Sequence, residues 1–196
     1  MKFRLPELRD EEIIKSYIEE HYSHNEKRLS ASNKLTSMNF EDWVKKIHNN
    51  VNIPDKDWGK SLTYLAFDDI DNLIGILSVR YDLPKEKVME FGHIGYGVRP
   101  SERRKGYATQ MLKYALKECK NHGLNKVIVG CYKENIGSAK TIIKNNGKLI
   151  KEKNISLNIN DCWRINLVDQ FYEIEIWHLQ FSVILRSVIR KNAFLV

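Results

Sequence analysis

Arg103, Arg104, Lys105, Gly106 and Ala108 follow a strand-like run that must turn at Pro100, and they open a strongly amphipathic helix. These residue types in this order suit the capture of an anion. The first turn of a helix leaves several backbone N–H groups without intrahelical partners and carries the positive end of the macrodipole. Glycine at 106 keeps a side chain out of the space an anion would occupy, and the neighbouring guanidinium and ammonium groups add positive charge. A pyrophosphate fits such a loop.

The spacing excludes two familiar phosphate loops. A Walker loop needs spaced glycines followed by Lys and Ser or Thr, and a dinucleotide fingerprint needs G-x-G-x-x-G straight after an early strand. Neither occurs here, and what remains is Arg-x-x-Gly-x-Ala over Arg103, Gly106 and Ala108. Downstream come a β-rich run, Lys126 to Tyr132, then Asn135 and Ser138 at the start of a short helix that ends near Asn146-Gly147. This order resembles the acetyl-CoA signature of the GNAT acetyltransferase superfamily, and the resemblance extends from roughly Lys2 to Leu149. The strand His93 to Pro100, reading His-Ile-Gly-Tyr-Gly-Val-Arg-Pro, resembles that of a bacterial group of acetyltransferases within it.

The resemblance implies a GNAT-like fold of α/β (α+β) class, with a mixed, mostly antiparallel central sheet flanked by helices and a splayed strand pair for acyl-CoA. It implies acetyl-CoA as acyl donor, no metal, and direct transfer in a ternary complex to a primary amine of a small molecule, peptide or protein. Cofactor contacts are then expected from Tyr96, Val98, Arg103, Arg104, Lys105, Gly106, Tyr107, Ala108, Asn135 and Ser138. A backbone N–H near Val98 is the expected oxyanion donor. Many members carry a thiolate-protonating tyrosine seven residues beyond the Asn, where this chain has Ile142, so Tyr132, water or no acid at all must serve instead. The alternative reading is a non-catalytic acyl-CoA-binding or regulatory module.

For the base, Glu90 and His93 lie on the segment leading into the loop. If that segment is a strand, period-two alternation puts them on opposite faces, so one alone faces a cleft. His93 has the better intrinsic pKa for the role, and both residue types more often serve structural ends.

A chain of 196 residues with 42% hydrophobic and 29% charged content buries an ordinary core without disulfides. The net charge of +7 invites a nucleic-acid reading, but the charges are scattered apart from Arg99 to Lys105, so nucleic acid is not expected as a partner. Cys119, Cys131 and Cys162 form no pairwise framework, and no apolar leader opens the chain. A cytoplasmic location and no membrane association are expected.

The elements that would position the loop follow from periodicity. Phe3 to Leu5 reads as a strand, Asp10 as the cap of a helix to about Tyr22, and Asn39 with Asp42 as the start of a helix containing Trp43 and Ile47. Leu62 to Phe67, Leu73 to Tyr81 and Glu90 to Val98 read as an antiparallel meander, joined by a parallel neighbour after the helix. Ala108, Met111, Leu112, Ala115, Leu116 and Cys119 form one helical stripe that Gly123 ends. A last hairpin is expected from Lys148 to Ile155 with Cys162 to Val168. The acetyltransferase domain is thus placed at 1–168, with an apolar extension at 169–196. In it Phe171 to Trp177 alternates like a strand and Phe181 to Ile189 repeats like a helix face, forming either extra core or a homodimer contact. Trp43, Trp58 and Trp163 either line a pocket or sit in the core.

Overall fold

The computed structural model describes residues 1–155 and 167–176. In chain order the elements are β1 (Lys2–Arg4), α1 (Glu11–Ser23), α2 (Phe40–Asn49), β2 (Ser61–Phe67), β3 (Leu73–Arg80), α3 (Lys85–Phe91), β4 (Ile94–Val98), α4 (Tyr107–Asn121), β5 (Lys126–Tyr132), α5 (Ile136–Lys144), β6 (Lys148–Ile155) and β7 (Leu167–Glu175). They form a four-stranded sheet in the order β1-β2-β3-β4 and a three-stranded sheet in the order β5-β7-β6. Every strand pairing within them is antiparallel. The α/β (α+β) class holds, but the parallel neighbour expected after the helix does not form a ladder with β4.

β3 is buried on both faces, and its alternation feeds two cores. Leu77 and Val79 pack with Met111, Leu112 and Ala115 of α4, as the helical stripe predicts. Ile76 instead packs with Ile14 and Tyr17 of α1 and Trp43 and Ile47 of α2. The first sheet is therefore sandwiched between α4 and the α1/α2 pair. α4 ends where Gly123, at φ +84°, lets the Leu124 N–H reach the Cys119 carbonyl at 3.0 Å.

Local expectations shift in three places. Asp10 precedes α1, but its carboxylate accepts from Arg4 and from the Glu7 N–H rather than capping the helix. Asn39 caps α2 by accepting from the Glu41 N–H, and no capping box with Asp42 forms. Glu90 lies in α3 and not on a strand. Its segment, Lys85 to Phe91, starts after Pro84 and stops at Gly92, whose φ of +67° favours glycine. The strand that follows begins only at Ile94.

The C-terminal half of the sheet also differs. β6 matches the expected strand, but its partner is β7, which occupies the centre of the second sheet between β5 and β6. The boundary placed at residue 168 falls inside this strand, and Phe171 to Glu175, part of the run that alternates like a strand, are sheet, with Phe171, Tyr172 and Ile174 buried in the core. Cys162, Trp163, Trp177 and the Phe181 to Ile189 stripe, with the dimer contact expected of it, lie outside the described residues. Among the described residues no helix is long and apolar enough to cross a membrane.

Candidate active site

The two sheets meet at His93. Its backbone N–H donates to the Ile128 carbonyl at 2.7 Å, and its Nδ1 accepts from the Ile128 N–H at 2.9 Å, while its carbonyl accepts from Arg80 of β3. Beyond this join β4 and β5 separate.

The register shows what the separation exposes. In the β3–β4 ladder Arg99 and His93 bond to β3, so Gly95 and Gly97 turn their backbone groups the same way. Tyr96 and Val98 must then direct their N–H and C=O groups away from β3, toward β5. On the other wall, Lys133 bonds to β7 and Ile176 of the β7 chain bonds back to Asn125, so Gly130 and Tyr132 face β4. Two of these inward groups are engaged: the Val98 carbonyl accepts from Arg103 Nε and the Tyr132 carbonyl from the Asn135 N–H. The Tyr96 and Val98 N–H groups and both Gly130 groups remain as donors and acceptors without partners among the described residues. An extended chain with amide groups can take the place of a missing strand there.

The slot leads to the N-terminus of α4. Gly106, at φ +85°, caps the helix, and a Cβ built on it would meet nothing within 4 Å. The N–H groups of Lys105, Gly106, Tyr107 and Ala108 have no partner among the described residues, whereas Thr109 and Gln110 already bond to the Gly106 carbonyl. This open cradle of helix-end donors fits a pyrophosphate.

The basic side chains divide. Arg103 is clamped on Glu26 through both terminal nitrogens, at 2.5 and 2.6 Å, and Lys105 pairs with Glu102 at 3.0 Å. In this structure these two side chains are paired with carboxylates. Arg104, at φ +64°, is exposed and has no such partner among the described residues. The Arg103 contact holds the Glu26 carboxyl down to about 2. Glu26 in turn accepts from His21 Nδ1 at 2.7 Å, and burial pushes the His21 pKa down. Beside them the Tyr17 hydroxyl and His21 Nε2 are buried without hydrogen-bond partners among the described residues.

Across the slot Tyr96, Ser138 and Cys131 come together. The Tyr96 hydroxyl lies 2.8 Å from Ser138 Oγ, tying β4 to α5, and burial raises the pKa of both Tyr96 and Cys131. Asn135 spends its Oδ1 capping α5 through the Ser138 N–H at 3.0 Å, which leaves its Nδ2 as a donor. Ile142 is wholly buried in the core, so that position cannot supply a proton.

The two base candidates do not share an element. Glu90 sits on α3 with its side chain half exposed, 3.8 Å from Lys87. His93 is 8% exposed, burial lowers its pKa, and the lone pair of Nδ1 is taken by Ile128. Its ring is a strand joint. Tyr132 lies at the end of β5, half-buried beside the slot. Sequence reasoning passed over Gly130, whose backbone faces the slot, and Glu26, which commits Arg103.

The pattern of the Acetyltransferase (GNAT) family matches residues 19–144. Solved structures share the fold: an N-acetyltransferase from Staphylococcus aureus Mu50 has a TM-score of 0.62 at 18% identity, over 89% of this chain and 98% of that one. RimL, a ribosomal L7/L12 alpha-N-protein acetyltransferase in complex with coenzyme A, has a TM-score of 0.64 at 16% identity, over 89% and 93%. The microcin C7 self-immunity acetyltransferase MccE, in complex with acetyl-CoA and AMP, has a TM-score of 0.62 at 16% identity, over 89% and 91%. No curated protein matches the chain in sequence. With the family pattern covering well over half its length, a slot between β4 and β5 and a donor-rich helix end at Gly106, the chain belongs to the GNAT acetyltransferase family.

Proposed function

We propose that the protein is an acetyl-CoA-dependent N-acetyltransferase that passes an acetyl group directly to a primary amine while donor and acceptor are bound together. The slot carries this reading: a missing ladder between β4 and β5, with amide groups on both walls that have no partner among the described residues, beside a helix N-terminus whose open space a side chain at 106 would fill. Bound acetyl-CoA supplies an activated acetyl thioester.

The chain's own groups divide the work. The N–H groups from Lys105 to Ala108 hold the diphosphate, with Arg104 adding charge at the rim. Tyr96, Val98 and Gly130 hold the pantetheine amides by backbone hydrogen bonds, and Asn135 Nδ2 adds a side-chain donor. The Tyr96 or Val98 N–H is placed to stabilise negative charge on the thioester oxygen, as a fixed donor that needs no reorganisation. A thiol of ordinary pKa near ~8.5 is a tolerable leaving group, so orientation of the amine supplies much of the acceleration. Proton release by the amine goes to solvent, since His93 Nδ1 is taken by Ile128 and Glu90 sits exposed on α3.

Isothermal titration with acetyl-CoA, followed in the same preparation by thiol release across a panel of amines, tests the reading. Binding with amine-dependent thiol release is expected. Binding without release from any amine would favour the acyl-CoA-binding module, and no binding would overturn the reading.

A further inference from the structure

Ser78 and Arg80 of β3 point to the α1/α2 side of the sheet, away from α4, where they line a cavity of about 200 Å³ together with Ala31, Asn33, Lys34 and Trp58. At roughly 30 Å³ per water, that space admits a group the size of a small amino acid.

Its chemistry is one-sided. Arg80 anchors its Nη1 on the Phe91 and Gly92 carbonyls at 3.2 and 2.9 Å, and its guanidinium lies 5.0 Å from the Trp58 ring. Its Nε and Nη2 donate to nothing among the described residues, and no carboxylate there pairs with it. A sequestered cation without a counter-ion is costly, and burial brings the Arg80 pKa down to about 10, which still leaves it charged at neutral pH. Ser78 is 1% exposed and its Oγ has no hydrogen-bond partner among the described residues. Lys34 adds a second positive charge, while Lys46 is neutralised by Asp55 at 2.6 Å.

The cavity adjoins the slot. Ser78 pairs with Gly95 of β4, and a Cβ at 95 would stand 3.2 Å from Arg80 Nη2. The next residue of β4 is Tyr96, whose backbone lines the slot.

We infer that this cavity is the acceptor subsite and that it binds an anionic group, so the amine substrate carries a carboxylate or phosphate held by Arg80 and Ser78 while its amino group reaches the slot. The inference rests on the transferase reading and deepens it. Charge-assisted hydrogen bonds from Arg80 and a neutral one from Ser78 complete donors that otherwise stand unpaired in a partly dry site. Phosphate and carboxylate share this recognition chemistry.

The test is titration of the protein, with coenzyme A present, against amino acids, 4-aminobutyrate and phosphoethanolamine, each beside a match whose anionic group is absent or neutralised (the amide, or ethanolamine). Anionic amines should bind at least about tenfold more tightly than their matches, and Arg80→Met should weaken them by about 10- to 100-fold with the acetyl-CoA Kd unchanged. Ser78→Ala should weaken them severalfold. It removes a buried, unsatisfied hydroxyl and so keeps the test readable if Arg80→Met, which strips the Phe91 and Gly92 carbonyls of their donor, fails to fold. The ranking of carboxylate against phosphate identifies the source of the anion. Equal binding of these matches, preference for a polyamine, or anion binding indifferent to Ser78→Ala would overturn the inference. Failure to bind acetyl-CoA would show separately, in a titration with acetyl-CoA alone, and would count against the transferase reading.

Discussion

The donor side and the acceptor side of this site are built from different material. The donor side is chiefly backbone, the inward groups of Tyr96, Val98 and Gly130 and the open helix end at Gly106, with only Arg104 and Asn135 adding side chains. The proposed acceptor side is side chains, Ser78 and Arg80 from one strand, β3, and Trp58 from a loop. Backbone donors are present whatever the side chains are, so such a site tolerates sequence change and recognises a constant ligand. Side-chain donors can be exchanged one at a time, which lets the acceptor vary on an unchanged scaffold.

The largest effect that would sharpen this contrast is at Gly106. Gly106→Val must force a β-branched residue to φ +85° and fill the open cradle, so acetyl-CoA affinity should fall by about 100-fold or more in a calorimetric titration. Unchanged affinity would break the comparison at its donor end. A smaller effect is expected at the joint between the sheets. His93→Phe leaves the Ile128 N–H buried without an acceptor and should cost about 2 kcal/mol in urea unfolding, whereas Glu90→Ala should alter neither stability nor turnover measurably. A rate loss in Glu90→Ala at full stability would restore that carboxylate to the chemistry.

The smallest effect concerns the Arg103 clamp. The Glu26 pKa is depressed in the fold from 4.5 to about 2, so the stabilisation it gives is full above pH 4.5 and is lost as pH falls toward 2. Glu26→Gln should flatten that acid limb in pH-dependent urea melts. Arg103→Ala should flatten it too, and should change acetyl-CoA affinity by less than about threefold because the guanidinium is already committed to Glu26. A large affinity loss in Arg103→Ala would return the side chains to the donor side.

What the sequence disclosed follows the same division. The Arg103 to Ala108 loop and the α4 stripe are local patterns, so the helix end and its buried face could be read directly, as could the Asn135 and Ser138 positions. Glu90 misled because Val88, Met89 and Phe91 form a short apolar run that fits either period, and the decisive signal was Gly92 as a helix stop. His93 looked like a base from its intrinsic pKa; its engagement with Ile128 is a tertiary fact thirty-five residues away. The acceptor cavity depends on residues from Ala31 to Arg80 meeting in space. Even so, Ser78 and Arg80, two apart in an otherwise apolar strand, were a visible hint of a polar face.

The position of β7 has a consequence for the order of events during synthesis. The first sheet has all its strands once the ribosome has passed Val98, and α4 can pack on one face of it soon afterwards, although the core on that side still lacks its residues from β5, α5 and β7. β5 and β6 are each neighbours of β7 and not of one another, and that strand, Leu167–Glu175, has yet to be made. Until it arrives both present bare edges, the state in which chains most readily stick to their neighbours. The far wall of the slot is thus the last part of the site to set, and a nascent chain cannot hold its cofactor between two firm walls until nearly all of the described protein has been translated.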